Sequence, residues 1–211
     1  MNHNLKILGG VVAAFTLVTA AVQAQDALTS NPAEVTAGAY VLDPAHSKIT
    51  WSVDHMGFST YIGQFTGVDA RLTIDPDRLS ATALTATVRT DTVGTFHDGL
   101  DAHLKNADFL DVSNHPTATF RSTSVKRTGA STADITGDLT LRGVTRPVTL
   151  EAEFNQAGVN PLDKTYTLGF DGKAVIKRSD FGVSYGLPAV GDEVTLNLAA
   201  EFKLVPAGGS Q

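Results

Sequence analysis

Five histidines lie beyond residue 24: His46, His55, His97, His103 and His115. A metal centre needs three or more converging ligands, usually seeded by a close pair on one face of an element. His97 and His103 stand six apart with Gly99 between them, which is neither strand nor helix ligand spacing. There is no His-x-His, no His-Glu-x-x-His and no cysteine. Nucleophilic catalysis is as weakly written. Ser47 follows His46 directly, so in a strand the two point to opposite faces, and no Gly-x-Ser-x-Gly turn occurs. Asp98 and Asp101 lie beside His103 in one short segment, where acidic residues next to a histidine commonly serve as caps. The Gly-Gly pairs at 9–10 and 208–209 sit in the terminal stretches and form no phosphate loop. The chain therefore reads as a binding protein rather than an enzyme. The catalytic alternative is a metal-assisted hydrolase using His55, His97, His103 and an aspartate.

Whatever these residues do, strands must position them. From Val194 the chain reads Val-Thr-Leu-Asn-Leu-Ala-Ala-Glu-Phe-Lys-Leu. Val194, Leu196, Leu198, Ala200, Phe202 and Leu204 thus share one face, the pattern of a strand with one dry and one wet side. Six further stretches alternate in the same way, among them Ile49-x-Trp51-x-Val53, Ala70-x-Leu72-x-Ile74 and Val148-x-Leu150-x-Ala152-x-Phe154. His55 continues the phase of Ile49, Trp51 and Val53 and should face the dry interior. Only Phe96 to Leu110 breaks the alternation; Leu100 and Leu104, four apart, predict one short helix near 99–106. The fold is all-β, a closed antiparallel barrel or a two-sheet sandwich. Strands of about eleven residues, longer than the usual five or six, favour the barrel. Its interior is either filled by side chains or holds one small ligand, and periodicity does not separate the two.

The ends and the composition set the surroundings. Lys6, an apolar stretch from Ile7 to Ala21 and the small-x-small Val22-Gln23-Ala24 form a secretory leader over 1–24. Once it is cleaved no membrane span remains, and with no cysteine for a lipid anchor a periplasmic location is expected. Residues 25–38 have no period and read as a flexible lead-in, 39–204 as one barrel domain, and 205–211 as a flexible tail. Setting Lys6 aside leaves 15 of the 16 basic residues against 22 acidic ones, with no Lys/Arg cluster. Nucleic acids and anionic membrane surfaces are therefore excluded as electrostatic partners. A homodimer stays open and would require an apolar patch on the barrel exterior.

The ordered residues resemble the YceI family. Tyr40 and Asp43 lead into His46-Ser47-x-Ile49-x-Trp51-x-Val53-x-His55-x-Gly57-Phe58 and then Gly63-x-Phe65. The middle carries Asp101-x-His103-Leu104, Asp108-Phe109, Pro116-x-x-x-Phe120-x-Ser122 and Gly137-Asp138-Leu139-Thr140. Arg178-Ser179-Asp180-Phe181-Gly182 and Gly191-Asp192-Glu193-Val194 complete the set. The resemblance implies a lipocalin-like, eight-stranded antiparallel barrel with one short helix that binds an isoprenoid lipid, a polyprenyl phosphate or a quinone, and carries no cofactor. On this reading His55, His103 and Arg178 lie near an opening, while Trp51, Phe58, Phe109, Phe120, Leu139, Phe170 and Phe181 line the tunnel. Gly99-Leu100 replaces a polar residue usual in the family before the helix aspartate, which tilts the expectation toward a neutral, quinone-like cargo. A lipid-free interaction module with a solidly packed barrel is the remaining alternative.

Overall fold

A computed structural model describes residues 28–206 of the chain; the leader assigned to 1–24 and the tail from 207 lie outside the described residues. In chain order the elements are β1 (Gly38–Leu42), β2 (Lys48–His55), β3 (Ser59–Phe65), β4 (Val68–Ile74), β5 (Ala83–Arg89), β6 (Val93–Gly94), α1 (Asp98–Lys105), β7 (Thr117–Arg127), β8 (Thr132–Leu141), β9 (Val144–Val159), β10 (Tyr166–Lys177) and β11 (Val190–Leu204). Every ladder is antiparallel. β1 and β2 follow one another along the same edge of β11, β4 and β3 along β1 and β2, and β5 and β6 along β4 and β3. The eleven segments thus fill eight strand positions, and the eighth, β11, pairs back onto the first. This is the expected closed antiparallel barrel, in up-and-down order.

Three of the strand positions break at one level, and each break is bridged by a side chain or a neighbouring loop. Between β1 and β2, the Asp43 N–H donates to the Glu201 carbonyl (2.8 Å) and the Glu201 N–H donates to Ser47 Oγ (3.0 Å). A buried hydroxyl thereby carries the ladder around the bend. Between β3 and β4, the Gly67 N–H donates to Thr92 Oγ1 (2.9 Å). Between β5 and β6, the Thr90 N–H donates to the Pro116 carbonyl (3.0 Å) and its hydroxyl to the His115 carbonyl (2.7 Å). Outside the first bend, Asp43 Oδ2 accepts from Lys203 Nζ (2.7 Å) and His46 Nδ1 (2.9 Å), and Lys203 also reaches Asp163 (2.8 Å). The Lys203 ammonium, and after it the His46 imidazole, hold the Asp43 carboxyl down to about 2.

The described part of the lead-in does not behave as its sequence suggests. Thr29 pairs with Ala157 through two 2.8 Å backbone hydrogen bonds, and Asn31 caps a 3₁₀ turn at Pro32–Glu34. Val35 is buried in the cluster formed by Tyr40, Leu42, Phe154, Leu168 and Phe202. One apolar side chain and a two-bond bridge suffice to dock a segment with no periodicity. Helix α1 begins one residue earlier than expected. The ring of His97 accepts from the Leu100 N–H (3.1 Å), and Asp98 and Asp101 occupy the first turn, where the helix dipole favours negative charge.

Candidate functional site

The inward faces of the strands do not fill the barrel. Two cavities lie end to end along its axis: an upper one of about 380 Å³ at the α1 end and a lower one of about 340 Å³ at the Val35 end. Each falls within the roughly 300–1,000 Å³ usual for a small-molecule site. Ile49 is the residue common to both walls. The β3–β4 break falls at their junction, since Phe65 faces the upper chamber and Val68 the lower. β11 runs the full length, with Val194 and Leu196 in the upper wall and Leu198, Ala200 and Phe202 in the lower. The alternation read from its sequence is thus a wall common to both chambers.

Both chambers have polar wall residues, and they differ in kind: the lower wall includes Lys48, Asp77, Arg127 and Asp171. The upper wall contains His55, Tyr61, Thr90, His103, Arg178 and Tyr185 but no carboxylate. Trp51 Nε1, also in this wall, is buried without a hydrogen-bond partner, as is Thr82 Oγ1 in the wall of the lower chamber. A buried donor left unpaired costs about 1–3 kcal/mol, so Trp51 Nε1 would favour an acceptor brought in by a ligand. The Trp51 ring can occupy the upper chamber only because Gly63 stands opposite it: a Cβ there would lie 2.2 Å from Trp51 Cζ2. The chamber is roofed by α1, through Leu100, His103 and Leu104, and by the 182–190 loop. The His103 ring packs edge-on against Phe109 (4.9 Å) and Tyr185 (5.0 Å), and its Nε2 lies 3.2 Å from Asp108.

Arg178 has a different task from the one its sequence position suggested. It is 6% exposed, and its guanidinium donates four hydrogen bonds, to the carbonyls of Gly191 (2.7 Å), Val183 (3.0 Å), Tyr185 (2.9 Å) and Val190 (2.9 Å). Burial pulls its pKa below the ordinary arginine value, and the nearby Asp192 carboxylate opposes the shift. Asp192 in turn accepts from Ser179 N–H (2.9 Å) and Oγ (2.8 Å), which hold it below the usual carboxylate range. The side chain touches the upper chamber, but its donors are spent on fixing the loop that carries Val183 and Tyr185. It therefore acts as a clamp on the wall, with little capacity left to grip a head group.

The residues expected in the tunnel divide into three groups. Trp51, His55, His103, Phe109, Leu139 and Arg178 come together in the upper wall, and Phe170 lies in the lower. Phe120 lines neither chamber. It is paired with lower-wall Ala86 and upper-wall Leu139, at the level between them, and its ring lies across Gly137, where a Cβ would come within 2.5 Å of it. Phe58 and Phe181 are not tunnel residues. Phe58 is 87% exposed on the β2–β3 turn, where strand phase no longer applies; Phe181 is 2% exposed within a 3₁₀ corner at Arg178–Phe181 and lines neither cavity. Tyr61, Val183 and Tyr185 are wall residues that sequence reasoning missed. Tyr61 shares the phase of Phe65 and was legible, whereas Val183 and Tyr185 lie in a loop without period.

The histidines do not assemble a metal centre at this site. His97 is used as a helix cap, and His55 faces Tyr61 at a ring separation of 6.0 Å. Among the described residues the one group with converging ligand atoms is Asp43, His46 and Glu201, on the outer bend. There the ammonium of Lys203, 2.7 Å from Asp43, already holds the position of a cation.

Residues 40–202 match the model of the YceI-like domain. The chain belongs to the YceI family. Over 156 residues it is 44% identical to the UPF0312 protein of Pseudomonas aeruginosa (strain LESB58), covering 74% of this chain and 81% of that one. The YceI-type barrel is also similar to the crystal structure of Burkholderia cenocepacia BcnA, with a TM-score of 0.69 at 26% identity over 76% of this chain and 98% of BcnA. A polyisoprenoid binding domain from Saccharophagus degradans shares the fold at a TM-score of 0.61 and 11% identity, over 81% of this chain and 100% of that domain. Among the described residues no helix is long and apolar enough to cross a membrane.

Proposed function

We propose that this YceI-family chain binds one isoprenoid lipid inside the barrel and carries or sequesters it without chemical change. The observation that carries the proposal is the pair of predominantly apolar chambers in series along the barrel axis. A long unsaturated hydrocarbon tail matches two such chambers in series. Each methylene removed from water contributes roughly 0.8 kcal/mol, so a tail filling the lower chamber and the waist can be held by hydrocarbon contact alone, less the cost of ordering it. The Saccharophagus degradans domain, described as polyisoprenoid binding, supports the class of cargo. Donors without carboxylates in the upper wall, and an Arg178 committed to backbone carbonyls, favour a neutral acceptor head such as a quinone over a phosphate. The leader pattern at 1–24 supports export to the periplasm.

Trp51 is the one tryptophan of the chain and stands in the upper wall. Titrating the protein with a long-chain quinone should quench its emission saturably, and the quinone ring without its tail should bind far more weakly. Equal affinity for the two would remove the tunnel from the explanation.

A further inference from the structure

Six of the eight large apolar side chains that stand exposed among the described residues belong to the upper half of the barrel; Val175 lies apart on the outer face of β10, and the other five lie close to α1 and the 182–190 loop. Met56 and Phe58 sit on the β2–β3 turn, Phe96 on the link between β6 and α1, and Tyr185 on the 182–190 loop; Ile62 lies just below them on the outer face of β3. Phe58 is 87% and Phe96 96% exposed, so these are protruding rings rather than the floor of a groove. Left-handed backbone at Met56 (φ 58°), Gly57 (φ 70°) and Phe96 (φ 61°) fixes the tight turns that present them.

The three loops are joined to one another. The Met56 N–H donates to the Ala189 carbonyl (3.0 Å), Tyr185 packs on His103 of α1, and Thr95 N–H and Oγ1 donate to Asp101 Oδ1 of the same helix (2.8 and 2.6 Å). Tyr185 is both half exposed and part of the upper chamber wall, so the apolar rim is continuous with the tunnel. We propose that this rim docks on the surface of a lipid bilayer, Phe58 and Phe96 entering the headgroup boundary so that the upper chamber opens against it. The inference rests on the lipid-carrier reading. A tail leaving the tunnel elsewhere would have to cross water at the full hydrophobic cost, and aromatic rings at a water–hydrocarbon boundary are favourably placed. The rim carries charges of both signs, Asp54 and Asp98 beside Lys105, so contact is apolar and does not require anionic lipid.

The chain contains no cysteine, so Phe58→Cys, Phe96→Cys and Leu162→Cys each create one site for an environment-sensitive fluorophore. Leu162, 90% exposed on the β9–β10 turn at the opposite end, is the control. Added phosphatidylcholine vesicles should blue-shift the label at 58 and 96 and leave that at 162 unchanged. In co-sedimentation with the same vesicles, Phe58→Ser combined with Phe96→Ser should weaken binding by roughly tenfold for each ring, and Leu162→Ser should not. No shift at 58 and 96, or an equal shift at 162, overturns the proposal. A shift that grows with protein concentration without vesicles also overturns it, since a second copy then covers the rim. Organic extraction of the same preparation separates the two claims: prenyl lipid recovered without vesicle binding refutes the docking alone, and no lipid recovered refutes the carrier reading.

Discussion

Replacing Arg178 by methionine keeps an unbranched apolar stem and removes every donor. Four carbonyls, on Gly191, Val183, Tyr185 and Val190, would then lose charge-assisted hydrogen bonds in a site that is 6% exposed. Hydrogen bonds to charged groups contribute about 1.5–3 kcal/mol each, but deleting the guanidinium also removes its own desolvation cost. The net loss is therefore set at about 3–5 kcal/mol, the range for breaking a buried charged contact. For a domain of this size each kcal/mol moves Tm by about 2–4 °C, so thermal unfolding should fall by roughly 6–20 °C. Urea titration would give the same free energy from its midpoint and slope. Arg178→Lys retains the charge but not the fork, and should fall between wild type and the methionine variant. A loss below about 1 kcal/mol for Arg178→Met would refute the clamp. If stability holds while binding of a polyprenyl phosphate disappears, Arg178 is a head-group ligand and the reading of the upper chamber is wrong.

Three further outcomes follow from other contacts. Gly63→Ala should cost about 1–3 kcal/mol through overpacking and shift Trp51 emission, because the new methyl would lie 2.2 Å from the indole; Gly169→Ala, whose nearest neighbour is 3.8 Å away, should be neutral or stabilising on denaturant titration. Leu139→Trp should fill part of the upper chamber and abolish saturable quenching by a long-chain quinone, with little change in the far-ultraviolet circular dichroism. Asp43→Asn should alter the pH profile of stability at both ends. The wild-type carboxylate, lowered by Lys203 and His46, contributes stability above about pH 4 that is lost as pH falls through its folded value of about 2. His46, raised mainly by its hydrogen bond to Asp43, contributes below its ordinary value and loses that contribution as pH rises through the folded one. Tm measured against pH should show both slopes in wild type and shallower ones in the variant, where Asp163, Asp192 and Glu201 remain.

Strand phase was the readable part of this protein. It placed Trp51, His55, Leu139 and Phe170 on the inner wall and marked β10 almost to its ends and β11 from Val194 onward, four residues after its start, because each inner residue meets the same apolar interior. It did not reveal the three strand breaks, which depend on Ser47, Thr92 and Thr90 finding partners distant in sequence. Phase also stops at turns. Phe58 follows the apolar run of β2 yet projects from the β2–β3 turn, and Phe181 is turned into the core by the 3₁₀ corner after β10. Arg178 could be recognised as important from its motif, but its role depended on where a loop of irregular backbone places four carbonyls. Tyr185 left no periodic trace, although it roofs the upper chamber.

The central claim is that the tunnel holds an isoprenoid chain, and the most direct measurement is mass spectrometry of an organic extract. Protein purified without detergent from a quinone-producing host should release a prenyl lipid in near-equal proportion to the chain, and Leu139→Trp should release much less. Recovery of no prenyl lipid from the wild-type protein, or of equal amounts from both, would contradict the account.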